Sequence, residues 1–318
     1  MNLERVSCNL CGSREAEPLF SQVDTLTGES TPFTVVKCRH CGLQYVNPRP
    51  PAIEIARFYP REFVSYQFEL DAPGSSLRER LVGAITRSAA RQRVKMLAQA
   101  VKLGPDTRVL DVGCGKGVFL YALKQRFGCD VTGVDFDAEA VRYCRDQLGI
   151  SAIQGGAAEL AALAPGFDII TMWHFLEHEF DPLSVLRTVH RLLADDGTLI
   201  VEVPNVDSVE NAIFGRRSYL YDLPRHLFHF SPLTLRALLE RAGFEVVNFH
   251  YTCLAGGWIG SLQNLLAGGS VYRRLEDHVG LFIVLAQLAL PFDWLSAKVG
   301  RGSIMTVRAR KRAIARIQ

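Results

Sequence analysis

From Arg108 onward the chain alternates β-rich runs with helical stretches, and this alternation restricts the fold more than any other feature. RVLDV, DVTGVD, SAIQ, FDIITMW, GTLIVEVP and FEVVNFHY read as strands; VFLYALKQRF, AEAVRYCRDQL, DPLSVLRTVHRLL and SPLTLRALLERAG read as helices between them. Parallel strands need such crossovers, and the helices must cover the faces of the sheet. SIMTVRARK is a final strand candidate. A chain of 318 residues that is 48% hydrophobic can bury one substantial core and an appendage.

The appendage is expected at residues 1–50, where Cys8-Asn9-Leu10-Cys11-Gly12 and Cys38-Arg39-His40-Cys41-Gly42 form two matching units. Each pair brings two sulfurs onto one tight turn, and the trailing glycine allows the backbone reversal. Four thiolates from Cys8, Cys11, Cys38 and Cys41 would hold one structural Zn²⁺ and leave no open coordination position. Residues 51–105 read as a linker with a mixed-charge leading helix over 77–102, and 106–318 as the main domain.

In the main domain, Val109-Leu110-Asp111-Val112-Gly113-Cys114-Gly115-Lys116-Gly117 follows an apolar run and precedes a helix. Gly113, Gly115 and Gly117 permit a tight turn and close approach of a ligand to the helix start. Asp135, 22 positions after Gly113, ends the second strand, where a carboxylate can accept bonds from ribose hydroxyls. That much suits a nicotinamide dinucleotide or S-adenosylmethionine (SAM) equally. Asp111 distinguishes them, because an acid at this strand end repels a pyrophosphate and suits the ammonium of a methionyl group. A carboxylate that merely caps the turn is the structural alternative.

In order, DVGCGKG, VDFD, QGGAAEL, FDIITMWHFLEH and GTLIVEVPN resemble the successive motifs of class I SAM-dependent methyltransferases over about residues 95–250. The resemblance implies a Rossmann-like, seven-stranded, mainly parallel sheet with an antiparallel last strand, beside a small zinc-ribbon-like domain. It implies cofactor contacts from Asp111, Gly113, Gly115, Gly117, Asp135 and Phe136, from Gly156 and Ala157 near the adenine, and from Trp173; core packing is the other reading of Trp173. The double Cys unit followed by GLQYVNPRP and such a domain is similar to a bacterial group that includes sugar C-methyltransferases. In that group a Glu-His pair supplies a histidine base; His226 matches the histidine, and Arg225 stands where the glutamate would be. His174 and His229 rank after His226 as proton acceptors. Arg225 is read as a substrate-anion ligand or as a partner of Asp222.

The sequence therefore points to methyl transfer to a small molecule, a sugar or a cell-envelope or secondary-metabolite intermediate. A nicotinamide-dependent oxidoreductase and a non-catalytic SAM- or nucleic-acid-binding regulator are the alternatives. A net charge of +3 from 36 basic and 33 acidic residues does not single out nucleic acid. The N-terminus shows no apolar leader, so a cytoplasmic location is expected. Residues 253–302 form an apolar insert, and the uncharged run 279–292 is too short to span a bilayer. A buried helix, a homodimer contact and a peripheral membrane contact assisted by the basic tail are its three readings.

Overall fold

A computed structural model describes residues 2–24, 26–59, 77–252, 255–267 and 279–312. The main sheet has seven strands: β4 (Arg108–Val112), β5 (Asp130–Asp135), β6 (Ser151–Gln154), β7 (Phe167–Trp173), β8 (Leu193–Pro204), β10 (Phe244–Thr252) and β11 (Ile304–Lys311). They lie in the order β10-β11-β8-β7-β4-β5-β6. Pairs within β8-β7-β4-β5-β6 are parallel, and β11 runs antiparallel to both of its neighbours. This is the sheet expected from the sequence. Its central strands are apolar on both faces, as Val109, Leu110, Ile169, Ile170, Ile200 and Val201 show by their burial.

The helices follow from apolar spacing and local caps. Helix α1 (Leu77–Ala100) buries Ala90, Val94 and Leu97, one stripe at helical spacing, in the same core as Phe119, Leu120 and Leu123 of α2 (Val118–Phe127). The shorter helices α3 (Ala138–Asp146) and α4 (Ala157–Ala161) follow β5 and β6. In α5 (Pro182–Leu192) the Asp181 side chain accepts from Ser184 N, Pro182 fills the first turn, and Leu183, Leu186 and Val189 face the core. After α6 (Val209–Phe214), helix α7 (Pro232–Arg241) repeats the device with Ser231 as its cap.

The chain moves outward from β4 to β5 and β6, then returns to β7 on the other side of β4. Ligand crevices of open α/β sheets form at such a reversal, outside the carboxyl ends of the strands. The glycine turn after β4, Asp135 at the end of β5 and His174 just after β7 all stand on that edge.

A second sheet joins β1 (Ala16–Gln22), β2 (Phe33–Cys38) and β3 (Gln44–Val46) to β9 (Phe228–His229). Thus a strand from the middle of the main domain completes the N-terminal sheet, pairing Gln44 with His229 and Tyr45 with Phe228. Leu10, Leu43 and Tyr45 share one core with Leu183, Leu227 and Phe228. The insert between β10 and β11 contains α8 (Ala255–Ala267) and α9 (Val279–Lys298). Among the described residues no helix is long and apolar enough to cross a membrane.

Candidate active site

The glycine turn is shaped by its neighbours. Gly113 N and Cys114 N both donate to Val134 O, at 2.8 and 3.1 Å. Gly113, Gly115 and Gly117 all have φ between 51° and 78°, in the left-handed region that side chains disfavour. A Cβ on Gly113 would stand 2.6 Å from the Phe175 ring, whereas one on Gly115 would meet nothing within 4 Å. The turn is therefore packed underneath at Gly113 and open above at Gly115. Asp135, 8% exposed, accepts from Gly115 N at 2.7 Å through one carboxylate oxygen and from Asp137 N at 2.9 Å through the other. Each oxygen keeps a further lone pair for a ligand hydroxyl.

Asp111 lies beneath this turn, fully enclosed, and accepts the Thr171 hydroxyl at 2.6 Å. Burial raises its pKa to about 7, against the pull of Thr171 and of Arg93. Phe136 is exposed, its ring centroid 6.1 Å from that of Tyr59. Gly156 and Ala157 are exposed at the start of α4. The Gly156 amide, one of the backbone groups open to an adenine in the sequence reading, donates instead to Glu159 Oε2 at 2.8 Å.

Trp173 is buried. Its ring meets Phe119 edge-on at 5.2 Å, and the Arg93 guanidinium stacks on it at 4.6 Å. His174 has φ 52°, a conformation that costs a non-glycine residue of order 1 kcal/mol and is found mostly where the surroundings enforce it. The enforcing contacts are its own amide, which donates to Glu202 O at 2.9 Å, and its Nδ1, 3.2 Å from Glu177 Oε1. Burial works against protonation of His174, but the Glu177 bond and the charges of Glu177 and Glu202 prevail and raise its pKa. Burial likewise opposes ionisation of Glu177, and the surrounding histidines overcome it, holding the carboxyl at about 2.

On the other side of the crevice, residues 219–231 fold as a turn and short strand between β3 and the loop after β7. Leu227 N donates to Glu177 O at 2.8 Å, and Val46 N donates to Leu227 O at 2.9 Å. His226 is half-buried, with Nδ1 2.8 Å from Leu220 O. A carbonyl oxygen can only accept, so neutral His226 carries its proton on Nδ1 and presents a lone pair at Nε2. Its ring meets that of His178 edge-on at 4.8 Å. Glu177, His178 and His226 bring ligand atoms within 4.8 Å of one another, close enough to share a proton or flank a cation. Burial holds the His178 pKa down at about 4, so this imidazole is neutral at neutral pH. Tyr59 Oη is 2.9 Å from His178 Nδ1.

Of the other candidates, His229 is buried within β9 against Tyr221, and burial lowers its pKa to about 3. Arg225 is the largest fully buried side chain. It pairs with Asp222, as one sequence reading had it, and also with Asp24, in the loop just past β1, at 3.0 Å. Its guanidinium is consumed by these contacts and by Phe58 O, so the reading as a substrate-anion ligand is withdrawn. Tyr59, Glu177, Glu202 and Arg93 are the crevice residues that the sequence reading passed over or ranked low. Only the L-E-H triplet gave a local signal.

The four cysteines converge at the far end of the N-terminal sheet. Cys8 Sγ is 3.4 Å from Cys41 Sγ, and Cys11 Sγ is 3.5 Å from Cys38 Sγ. Gly12 N and Gly42 N close equivalent turns by donating to Cys8 O and Cys38 O, with φ 79° and 78° at the two glycines. Four sulfurs at about 2.3 Å from one ion would stand about 3.8 Å apart, so the set fits a tetrahedral thiolate site after a shift of a few tenths of an ångström. Asn9, between the first two cysteines, reaches Asp181 at 2.8 Å and accepts from Leu183 N at 3.0 Å, fastening this turn to the loop that leads from Glu177 into α5.

The family model of the methyltransferase domain matches residues 76–248, more than half of the chain. The chain belongs to the class I SAM-dependent methyltransferases. A ubiquinone biosynthesis O-methyltransferase of Pseudomonas aeruginosa (strain UCBPP-PA14) is 34% identical over 151 residues, 44% of this chain and 65% of that protein. The corresponding protein of Xanthomonas campestris pv. campestris (strain B100) is 34% identical over 166 residues, 48% of this chain and 69% of that protein. The match thus spans just under two thirds of the first of these relatives. A solved SAM-dependent methyltransferase of Archaeoglobus fulgidus has a TM-score of 0.49 and 21% identity, over 71% of this chain and 94% of that one. Family membership goes against the nicotinamide reading of the glycine turn, and the strand order is the one the sequence implied.

Proposed function

We propose that this methyltransferase transfers a methyl group from SAM to a hydroxyl of a small-molecule acceptor, with His226 as the base. The observation that supports the reading is the tautomer of neutral His226, whose Nδ1–H is taken by Leu220 O so that Nε2 keeps its lone pair, on a ring clustered with Glu177 and His178. When bound, SAM supplies an electrophilic methyl on a sulfonium. Asp135 would accept its ribose hydroxyls, Asp111 would face its ammonium, and the open backbone at Gly115 would let it approach; Gly113 and Gly117 hold that turn. Phe136, Ala157, Gly156 and Trp173 would complete the enclosure, Gly156 through its surface and not through its amide.

His226 Nε2 takes the acceptor's hydroxyl proton as the oxygen forms its bond to the methyl carbon, and the electron pair of the breaking bond remains on sulfur. Charge balances, since the sulfonium charge is replaced by that of the imidazolium. Glu177, ionised in the wall behind the histidines, favours that imidazolium. The paired His174 is a positioning residue for Glu177, and buried His229 anchors the strand that follows His226. The four cysteines hold one structural zinc.

A hydroxyl acceptor is supported by the O-methyltransferase relatives. A sugar or cell-envelope acceptor is the second reading, supported by the double Cys unit and GLQYVNPRP. Methylation assays with SAM on a panel of dihydroxyaromatics and nucleotide-linked sugars separate the two. His226→Ala should lower turnover by about a hundredfold or more while S-adenosylhomocysteine binds as before. Turnover that survives with an unaltered pH profile would refute the base assignment.

A further inference from the structure

The helix pair α8–α9 is inverted relative to a helix that has finished burying its apolar side. In α9 two polar side chains face inward, while Gln287 and Lys298 are exposed: Asp293 and Ser296 are buried, Trp258 of α8 donates its Nε1–H to Asp293 Oδ1 at 2.9 Å, and Ser296 Oγ donates to Asp293 O at 2.7 Å. The apolar ones face outward. Leu288 (64% exposed), Phe292 (65%) and Trp294 (60%) stand out with Leu290, Leu295 and Val299, and α8 adds Leu265 and Leu266. The buried-helix reading of the sequence thus fails for the described part of α9. A surface helix normally shows water the opposite arrangement.

Two features say what covers this face. At 100° per residue, the exposed apolar side chains of α9 span roughly half of its circumference, with Gln287 and Lys298 inside that arc, wider than the two-position seam of a helix pair. Second, among the described residues the exposed charged side chains of the pair and of Arg301 just after it are all basic; the exposed acid Asp207, whose carbonyl accepts from Arg301 Nε at 3.0 Å, lies outside the pair. Lys298 and Arg301 are exposed at the end of α9, Arg216 is exposed just before the turn that packs on α8, and Asp293 is the one acid among described residues 255–267 and 279–301 and is buried. A second copy would bring like charges together; a flat anionic, amphiphilic surface would not.

We propose that the outer face of α8–α9 docks on anionic phospholipid, with Phe292, Trp294 and Leu295 entering the headgroup–acyl boundary and Arg216, Lys298 and Arg301 meeting lipid phosphates. The helices are fixed to the acceptor side of the crevice: Tyr219 N donates to Ser261 Oγ at 2.8 Å, Arg217 Nη1 to Asn264 O at 2.8 Å, and a Cβ on Gly260 would stand 2.7 Å from the Tyr219 ring. Docking there places the 219–231 segment next to the lipid surface, whatever the methyl acceptor is.

The test is co-sedimentation of the full chain with vesicles of phosphatidylcholine, with and without phosphatidylglycerol, alongside quenching of tryptophan fluorescence by brominated lipid. The protein should bind the mixed vesicles, release them in high salt, and lose its quenching in Trp294→Phe. Phe292→Ser with Leu295→Ser should weaken binding about tenfold or more while S-adenosylhomocysteine affinity stays unchanged. Equal binding by this double variant, or equal binding to uncharged vesicles, overturns the proposal. So does a dimer in solution that the double variant dissociates and that binds no vesicles, since the occupant is then a second copy.

Discussion

Asp24→Asn tests the join between the N-terminal sheet and the acceptor segment. All five N–H donors of Arg225 are used: Nε and one Nη2 hydrogen go to Asp222, the other Nη2 hydrogen and one from Nη1 to Asp24, and the second Nη1 hydrogen to Phe58 O. Neither Arg225 nor Asp24 exposes any of its side chain. Removing one partner of a buried ion pair costs about 3–5 kcal/mol. Here Asp222 still neutralises the arginine, so the lower end applies, about 3 kcal/mol. At roughly 2–4 °C per kcal/mol for a chain of this size, thermal unfolding should shift down by about 6–12 °C. Scanning calorimetry of both proteins at pH 7 provides the measurement, with S-adenosylhomocysteine affinity as the control, since Asp24 lies outside the cofactor cradle. A shift below about 1 °C would mean that water or a rearranged Asp222 compensates Arg225 and that Asp24 does not hold the two segments together.

Three further outcomes follow from the site. Asp111, with its pKa raised to about 7, must ionise to face an ammonium, so calorimetry should find S-adenosylhomocysteine about tenfold weaker at pH 6 than at pH 8, a difference that Asp111→Asn abolishes. Glu210 accepts the hydroxyls of Ser261 and Ser303 in full burial, and that burial raises its pKa to about 7 from an ordinary 4.5. The folded state then holds an extra proton between those values, so Glu210 makes stability fall by up to about 3 kcal/mol as pH rises from 4.5 through 7. Glu210→Gln should flatten that slope in urea titrations at pH 5 and 8; an unchanged slope places the linkage elsewhere. Elemental analysis should find one zinc per chain, lost together with N-terminal protection from proteolysis in the Cys8→Ser, Cys38→Ser double variant, and metal-free protein purified without chelator would count against the site.

The parts of this fold legible in the sequence are those encoded within a few residues. The glycine turn, Asp135 two strands' length later, and the two Cys units each carry their geometry in spacing alone, and the alternation of strands and helices sets the order of the main sheet. What escaped depends on contacts between distant segments. Nothing near Arg225 announces Asp24, 201 positions earlier, so a substrate role looked as good as a structural one. Nothing in FHF announces that β9 leaves the main domain to extend a sheet begun at residue 16. Tyr59 reaches His178 from what reads as linker. The apolar run at 279–292 was visible, but apolar spacing cannot say which side of a helix the rest of the molecule will cover.

The completion of the small sheet by β9 also bears on how the chain is made. Tyr45 and Gln44 leave the ribosome 183 and 185 residues before their partners Phe228 and His229. At synthesis rates of about 5–20 residues per second, the edge of β3 waits roughly 10–40 s for its neighbour. Through that interval the module can close its cysteine turns around a metal while offering an unpaired strand edge, the kind of edge that recruits a strand from another chain. Capture of a metal by the four cysteines would thus come early and sheet closure late, and the edge of β3 is the place where two nascent copies could exchange β9.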